Sequence, residues 1–264
     1  MHLLTAVILG FIEGLTEFLP VSSTGHLILA GDLLHFQGDK ASTFEIFIQL
    51  GAILAVVVIY WRRFLSLFEP RNLNFTNTES LNLLHIFVAM LPAGILGLIL
   101  NKFIKQHLFS PYTVLIGLVL GGILMIMAEK SRKSKFATEL DQLTYGQAFR
   151  IGLFQALALW PGFSRSGATI AGGLLVGTNR KTASEFSFII AVPMMIAASG
   201  LDLLKSYKTL SADDLTFFAV GFVVSFIVAL LAVFSFLKLV SKVRLTGFAY
   251  YRFVLAALFW IFFI

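Results

Sequence analysis

The stretch EGLTEFLPVSSTGH, residues 13–26, interrupts an apolar segment that runs over residues 3–34. A second stretch, PGFSRSGAT at residues 161–169, interrupts another apolar segment over residues 145–176. Proline removes a backbone donor and glycine permits unusual backbone angles, so each break separates two half-length helices. We expect each helix pair to form a re-entrant hairpin. Because non-helical backbone at membrane depth must be surrounded by protein or a water-filled cavity, both breaks are expected to line a site.

The composition of the whole chain is that of a membrane protein. Of the 264 residues, 58% are hydrophobic and 13% are charged, whereas a soluble domain is about 45–50% apolar and roughly 25% charged. These values exclude a soluble globule and a disordered chain. The absence of cysteine excludes thiol catalysis and cysteine-bound zinc. The net charge of +6 comes from short basic clusters between apolar runs, so membrane lipid rather than nucleic acid is the expected partner.

Six further segments approach the roughly 20 apolar residues that a membrane span needs. They are residues 43–61, 81–100, 112–128, 183–204, 215–237 and 248–264. Lysine and arginine residues in the connecting loops number twelve on one side of the predicted topology and five on the other. The richer side faces the cytoplasm by the positive-inside rule, which places both termini and the first hairpin outside.

The two broken segments also match each other at an offset of 142 residues. Five residues of the first half have counterparts in the second: Gly10, Glu13, Ser22, Gly25 and Phe44 correspond to Gly152, Gln155, Ser164, Gly167 and Phe186. A hairpin followed by three spans, repeated once, inverts the second copy because three is odd. The predicted fold is an all-α polytopic membrane protein, with six transmembrane helices and two re-entrant hairpins. It forms a single membrane domain over residues 1–264, made of two inverted repeats at about 1–130 and 144–264.

Glu13 and Glu17 lie four residues apart in an apolar helix, so their carboxylates project from one face. Two like charges in a low-dielectric site need a bound cation, a basic partner or protonation of one carboxyl, unless the hairpin lies high enough for both to be hydrated. Paired carboxylates are hard oxygen ligands that suit magnesium or calcium. A divalent cation on Glu13 and Glu17 is therefore the favoured interpretation.

The residues after each break suit an anion. Ser22 or Ser23 is an expected N-cap, and a helix N-terminus also presents free N–H groups to a phosphate. His26, in the first turn of that helix, is either a structural hydrogen-bonding group or a catalyst. Arg165 is an isolated cation in the second break, where its guanidinium suits phosphate oxygens. The alternative for Arg165 is an ion pair with Glu13 or Glu17.

Two acids, hydroxyl groups, an imidazole and an arginine in an apolar protein together indicate phosphoryl transfer. The simplest reaction is hydrolysis of a phosphate ester or pyrophosphate whose remainder lies in the bilayer. A transporter or flippase for a lipid carrier or another amphiphilic anion is the alternative, because broken helices in inverted repeats also bind anions. A non-catalytic scaffold leaves the acid pair and Arg165 without a role.

Both broken stretches closely resemble the two signature motifs of the bacterial undecaprenyl pyrophosphate phosphatases, the bacitracin-resistance family, and the likeness extends through IQLGAILAVVV and SEFSFIIAVPMM. The resemblance implies removal of the terminal phosphate of undecaprenyl pyrophosphate, which recycles the lipid carrier for peptidoglycan and other cell-wall polymers. It also implies a multi-pass protein of the bacterial inner membrane, with a site on the extracytoplasmic side that uses a divalent cation. Such an enzyme confers bacitracin resistance. The two-fold repeat is also compatible with a homodimer.

The resemblance also suggests roles for individual residues. In the preferred hypothesis Ser23 attacks the terminal phosphorus, His26 is the base or the proton donor, and Arg165 neutralises charge on the transferred group. Glu13 and Glu17 hold magnesium or calcium in this scheme. A phosphohistidine on His26 and a water activated by Glu17 are the variants. Substrate binding is assigned to the remaining motif residues, which are Ser22, Thr24, Gly25, Ser164, Ser166, Gly167 and Thr169.

Overall fold

The computed structural model describes residues 2–73, 80–108, 110–131, 137–206 and 214–263. Over these residues the chain forms eleven α-helices and two short 3-10 turns, without a β-strand. The helices are α1 Leu3–Thr16, α2 Ser23–Leu33, α3 Asp39–Ile59, α4 Trp61–Ser66, α5 Leu83–His107, α6 Pro111–Lys130, α7 Tyr145–Leu157, α8 Arg165–Leu175, α9 Arg180–Ser206, α10 Leu215–Leu239 and α11 Leu245–Phe263. Of the loop cations used to predict orientation, Arg132, Lys133, Lys135 and Lys208 lie outside the described residues.

Five of these helices, α3, α5, α6, α9 and α10, are long and apolar enough to cross a membrane. They coincide with five of the six predicted spans. The sixth predicted span falls in α11, whose apolar stretch Leu245–Ile261 is shorter than the other five. The all-helical, multi-pass architecture expected from the composition is therefore confirmed, while the layout of six spans and two re-entrant hairpins stays a prediction.

The two predicted breaks separate short helices that correspond in length and position. Helix α2 begins and ends 142 residues before α8, the same offset that relates the repeated residues. Ser22 and Ser164 precede these helices, and both have a φ of 73°, a left-handed conformation that is uncommon for a residue with a Cβ. In both, the side-chain oxygen accepts a hydrogen bond from the backbone N–H three residues later. The backbone thus turns in the same way at the start of α2 and α8.

Helices α1 and α7 each pack on a long helix from the other half of the chain, α1 on α10 and α7 on α5. The contacts are backbone to backbone, and the repeated glycines permit them. A Cβ on Gly10 would lie 2.5 Å from the carbonyl oxygen of Gly221, and a Cβ on Gly152 would lie 2.3 Å from that of Ala89. Small residues allow such close approach between helices in membranes. The two halves consequently interlock, and α3 of the first half also packs against α9 of the second.

Candidate active site

Glu17 and Ser23 face each other across the first break. Glu17 follows the last residue of α1 and is buried, while Ser23 is the first residue of α2. The Ser23 hydroxyl donates a hydrogen bond to Glu17 Oε2 at 2.6 Å. A carboxylate at this distance accepts strongly, so the serine oxygen has a base in direct contact with it.

Arg165, the first residue of α8, brings the second break to the first. Its Nη2 lies 3.2 Å from Glu17 Oε1, and both side chains are largely buried, with 14% and 6% exposed. Nη1 donates to the carbonyl of Ser187 on α9 at 3.1 Å, and the guanidinium carbon lies 5.7 Å from the centre of the Phe18 ring. One terminal nitrogen of the guanidinium therefore donates to the protein backbone and the other donates to Glu17. The ion pair considered as the alternative for Arg165 is therefore present.

Both breaks open into one cavity. Six of the residues predicted for the site line this cavity, and they are Glu17, Ser22, Ser23, Thr24, Ser164 and Arg165. Pro161 and Gly162 of the second motif also line it. An acid, a hydroxyl and an arginine are thus collected at one place from segments nearly 150 residues apart in the chain. This is the arrangement that phosphoryl chemistry needs, because the anion, its nucleophile and the base must meet.

Ser166 and Thr169, predicted to bind substrate, are fully buried and do not line the cavity. The Ser166 hydroxyl donates to the carbonyl of Leu19 at 2.9 Å and thereby ties α8 to the first break. The Thr169 hydroxyl lies 2.5 Å from that of Ser187. Both hydroxyls already have protein partners, so Ser166 holds the two motifs together and Thr169 holds α8 to α9.

Gly25 and Gly167 are also buried within the protein instead of lining the cavity. A Cβ on Gly25 would lie 3.5 Å from Leu118, and one on Gly167 would lie 3.1 Å from Arg252 Nη1. The backbone N–H of each glycine is bonded to the serine that precedes its helix. These two N–H groups therefore donate to the protein's own serine side chains in this structure.

His26 points away from Ser23. Its Nδ1 lies 2.7 Å from the carbonyl oxygen of Ser22 and its Nε2 lies 2.7 Å from the hydroxyl of Tyr251 on α11. It does not line the cavity that holds Glu17, Ser23 and Arg165. As the base, His26 would need a contact from Ser23 to the imidazole, but the Ser23 hydroxyl donates to Glu17 instead.

Glu13, predicted to hold a cation with Glu17, does not itself line the cavity. It is 1% exposed, and its Oε1 has no hydrogen-bond partner among the described residues. Glu17, one helical turn later, shares its carboxylate between Ser23 and Arg165. No group of three or more histidine, aspartate and glutamate side chains suited to a metal occurs in the described part of the chain. The acids present therefore offer two carboxylates, one of them with an open oxygen, for a hard divalent ion.

Two residues outside the predicted motifs complete the site. Gln49 on α3 lines the cavity, and its Oε1 accepts a hydrogen bond from Ser199 on α9 at 3.0 Å. Arg252 on α11 is fully buried, and its Nη2 donates to the carbonyls of Gly162 and Phe163 at 2.8 and 2.9 Å. A polar or charged side chain inside an apolar span was the available signal for both. The sequence did not indicate the partner of either side chain, because each partner lies in a distant part of the chain.

The sequence of this chain is similar to those of known proteins. The family model described as bacitracin resistance protein BacA matches residues 6–258. Undecaprenyl-diphosphatase 1 of Bacillus thuringiensis subsp. konkukian and that of Bacillus anthracis are each 58% identical to this chain over 260 residues, which cover 98% of both sequences. The corresponding protein of Bacillus cereus is 57% identical over the same length. The chain belongs to the family of the bacitracin resistance protein BacA.

Proposed function

We propose that this protein is an undecaprenyl-diphosphate phosphatase, which hydrolyses the terminal phosphate of undecaprenyl pyrophosphate and releases undecaprenyl phosphate for reuse in cell-wall synthesis. The observation that carries the proposal is the contact of Arg165 with Glu17 in one cavity beside Ser23. It joins a cation for the phosphate, a base and a nucleophile. The names of the relatives, which cover the whole chain, agree with this function.

The ion pair between Arg165 and Glu17 is the resting state of the site. An incoming pyrophosphate carries more negative charge than one carboxylate and offers the guanidinium two oxygens, so Arg165 transfers from Glu17 to the substrate. Nη1 of Arg165 stays hydrogen-bonded to the Ser187 carbonyl and keeps the guanidinium in place. Glu17, released from the arginine, keeps its hydrogen bond with the Ser23 hydroxyl and serves as its base.

Ser23 then attacks the terminal phosphorus. A bond forms between Ser23 Oγ and phosphorus, the bond from phosphorus to the bridging oxygen breaks, and the polyprenyl phosphate leaves with the electron pair. Glu17 takes the Ser23 proton and passes it to the departing oxygen. Water next attacks the phosphoserine and yields inorganic phosphate, while its proton returns through Glu17 to Ser23. Arg165 stabilises the charge on the transferred group in both steps.

The divalent cation belongs to the same proposal. Glu13 and Glu17 are the residues that would hold magnesium or calcium, and the ion would supply positive charge to the pyrophosphate oxygens. The open Glu13 oxygen supports this assignment. Phosphate release is expected to fall on addition of a chelator and to return with the added metal.

The finer topology is also proposed here. Two inverted repeats of a re-entrant hairpin and three spans place the cavity on the extracytoplasmic side of the bacterial inner membrane. The matching offset of α2 and α8 supports the repeats, and the loop charge count supports the orientation of the first hairpin. The side on which the cavity lies is taken from the resemblance to the family. In this arrangement the polyprenyl chain of the substrate stays in the bilayer while its pyrophosphate enters the cavity.

The deciding experiment is phosphate release from a polyprenyl pyrophosphate by the purified protein in detergent. Arg165→Ala is expected to lower turnover by several orders of magnitude, because the transferred phosphate loses its cationic partner. Arg150→Ala, which removes an exposed arginine from α7, is the matched control and is expected to keep full turnover. Saturable lipid binding without phosphate release by the wild-type protein would favour a transporter instead.

Trapping with substrate labelled in the terminal phosphate distinguishes the possible nucleophiles. An acid-stable phosphoserine that is lost in Ser23→Ala supports the mechanism above. An acid-labile phosphohistidine would identify His26 as the nucleophile instead. Absence of any adduct, with Glu17→Gln inactive, would favour direct attack by water.

A further inference from the structure

Two consecutive residues of α11 reach the two signature motifs. Arg252 donates to the backbone of the second motif at Gly162 and Phe163, whereas Tyr251 contacts His26 at the end of the first. Arg252 is fully buried, but Tyr251 is 47% exposed and is therefore not needed to fill the interior. The contact of Tyr251 with His26 thus needs an explanation other than packing.

The hydrogen bonds of His26 define which ring nitrogen carries the proton. Nδ1 lies 2.7 Å from the Ser22 carbonyl oxygen, which only accepts, so Nδ1 must be the donor. In the neutral imidazole Nε2 is then an acceptor, and the Tyr251 hydroxyl, 2.7 Å away, donates to it. The partners on both sides therefore specify a single tautomer of a neutral imidazole.

The two rings are also held parallel. Their planes differ by 5° and their centres are 5.7 Å apart. Since the Ser22 carbonyl belongs to the turn that places Ser23, the orientation of the imidazole and that of the turn depend on each other. A change at the tyrosine hydroxyl is therefore transmitted to His26 and from there to the residue beside Ser23.

We propose that Tyr251 is a positioning residue, whose hydroxyl holds His26 in the neutral Nδ1–H tautomer and so keeps the 22–26 turn in the geometry that presents Ser23 to Glu17. This inference rests on the proposed phosphatase function. Tyr251 acts through His26 and contacts neither Glu17 nor Arg165 in the structure. The proposal assigns a function to the hydroxyl alone, since phenylalanine would keep the ring stack.

The test is a double-mutant cycle between Tyr251 and His26, measured as phosphate release from a polyprenyl pyrophosphate. Tyr251→Phe is expected to lower kcat about tenfold with KM and Tm unchanged. His26→Ala is expected to lower kcat at least as far. Adding Tyr251→Phe to His26→Ala is expected to change nothing further, because the hydroxyl has lost the group through which it acts. Tyr250→Phe, at the neighbouring and more exposed tyrosine of the same helix, is the matched control and should match the wild type.

The outcomes separate this inference from the phosphatase function. Wild-type protein that releases no phosphate would refute the function itself. An active wild type with a fully active Tyr251→Phe variant, or with a fully active His26→Ala variant, would overturn only the role of Tyr251. Additive losses in the double variant would do the same, since they would show that the two side chains act independently.

Discussion

Ser23 and His26 lie three residues apart in the same turn of α2, yet only Ser23 contacts the acid of the preceding helix. On a helix, side chains three apart share a face, so an interaction of the two was a reasonable expectation. The carbonyl of Ser22 and the hydroxyl of Tyr251 hold the imidazole elsewhere. Glu17, which the sequence suggested as a metal ligand and, in one variant, as the activator of water, is the carboxylate that contacts the serine and is proposed as its base.

Gln49 is expected to bind the pyrophosphate through its side-chain nitrogen. Its Oε1 is occupied by Ser199, so Nε2 is the atom left for a ligand in the cavity that it lines. A hydrogen bond to a charged group is worth about 1.5–3 kcal/mol, so Gln49→Leu should raise KM roughly 10- to 100-fold with a smaller change in kcat. Steady-state phosphate release measures both constants. Gln106→Leu, at an exposed position in α5, serves as the control, and an unchanged KM in Gln49→Leu would contradict this assignment.

Among the helices, the packing of α1 on α10 depends on Gly10. A Cβ at this position would meet the Gly221 carbonyl at 2.5 Å, and a rigid backbone atom cannot yield as a flexible side chain can. Gly10→Ala is therefore expected to destabilise the protein by about 1–3 kcal/mol and to lower Tm in detergent. Gly94→Ala in α5 is the control, because nothing lies within 4 Å of the added carbon. Its Tm should stay the same or rise, since alanine favours the helix; equal losses in both variants would disprove the packing argument.

The segment that leads into α8 is held by α11 through Arg252. The guanidinium donates to Gly117 and Leu118 of α6 as well as to Gly162 and Phe163. Removing the donor leaves the buried carbonyls of Gly162 and Phe163 unsatisfied at about 1–3 kcal/mol each, whereas those of Gly117 and Leu118 keep their partners within α6. We expect Arg252→Met to lower both Tm and kcat, and Arg252→Lys to restore part of each because it keeps a donor and the charge. Thermal unfolding and phosphate release are the measurements, and a wild-type Tm in Arg252→Met would refute the role.

At the scale of the whole protein, loops outside the membrane-spanning helices are also joined to one another. Asp141, between α6 and α7, pairs with Arg63 of α4 and accepts a hydrogen bond from the Leu81 N–H at 2.8 Å. Burial opposes the charge, but the hydrogen bonds from Arg63 and Leu81, and the charges of Arg63 and Arg71, lower the pKa of Asp141 below its usual value. The carboxylate therefore links the loop between α6 and α7 to α4 and to the segment before α5, outside the membrane segments.

This link predicts a pH-dependent contribution to stability. A carboxyl whose pKa is lowered in the folded state stabilises above its unfolded pKa of about 3.9, and the contribution is lost as the pH falls through the folded value. Asp141→Asn should lower Tm by a few degrees at pH 7, a modest loss because the pair is partly exposed. The difference from the wild type should shrink below about pH 4. A difference that is constant from pH 7 down to pH 3 would show that the charge of Asp141 is not involved.

The positions of the spans and breaks followed from local properties of the sequence. A run of about 20 apolar residues indicates a membrane environment without reference to the rest of the chain. The prolines, glycines and serines clustered in each of the two motifs likewise indicate a local interruption of the helix. For the same reason Glu13, Glu17 and Arg165 stood out, because charge inside an apolar segment is costly and needs a purpose. The resemblance of the motifs to a known family then supplied the substrate and the reaction.

The pairing of side chains across the chain depended on the packing of the helices. Arg165 lies 148 residues from Glu17, Ser199 lies 150 residues from Gln49, and Tyr251 lies 225 residues from His26. Helical periodicity says which residues share a face of one helix, but it carries no information on which face of another helix meets it. That information comes from contacts such as Gly10 on Gly221, where two backbones approach closely and set the position of every side chain along them. The partners of Arg165, His26 and Arg252 therefore emerged only once the helices were packed together.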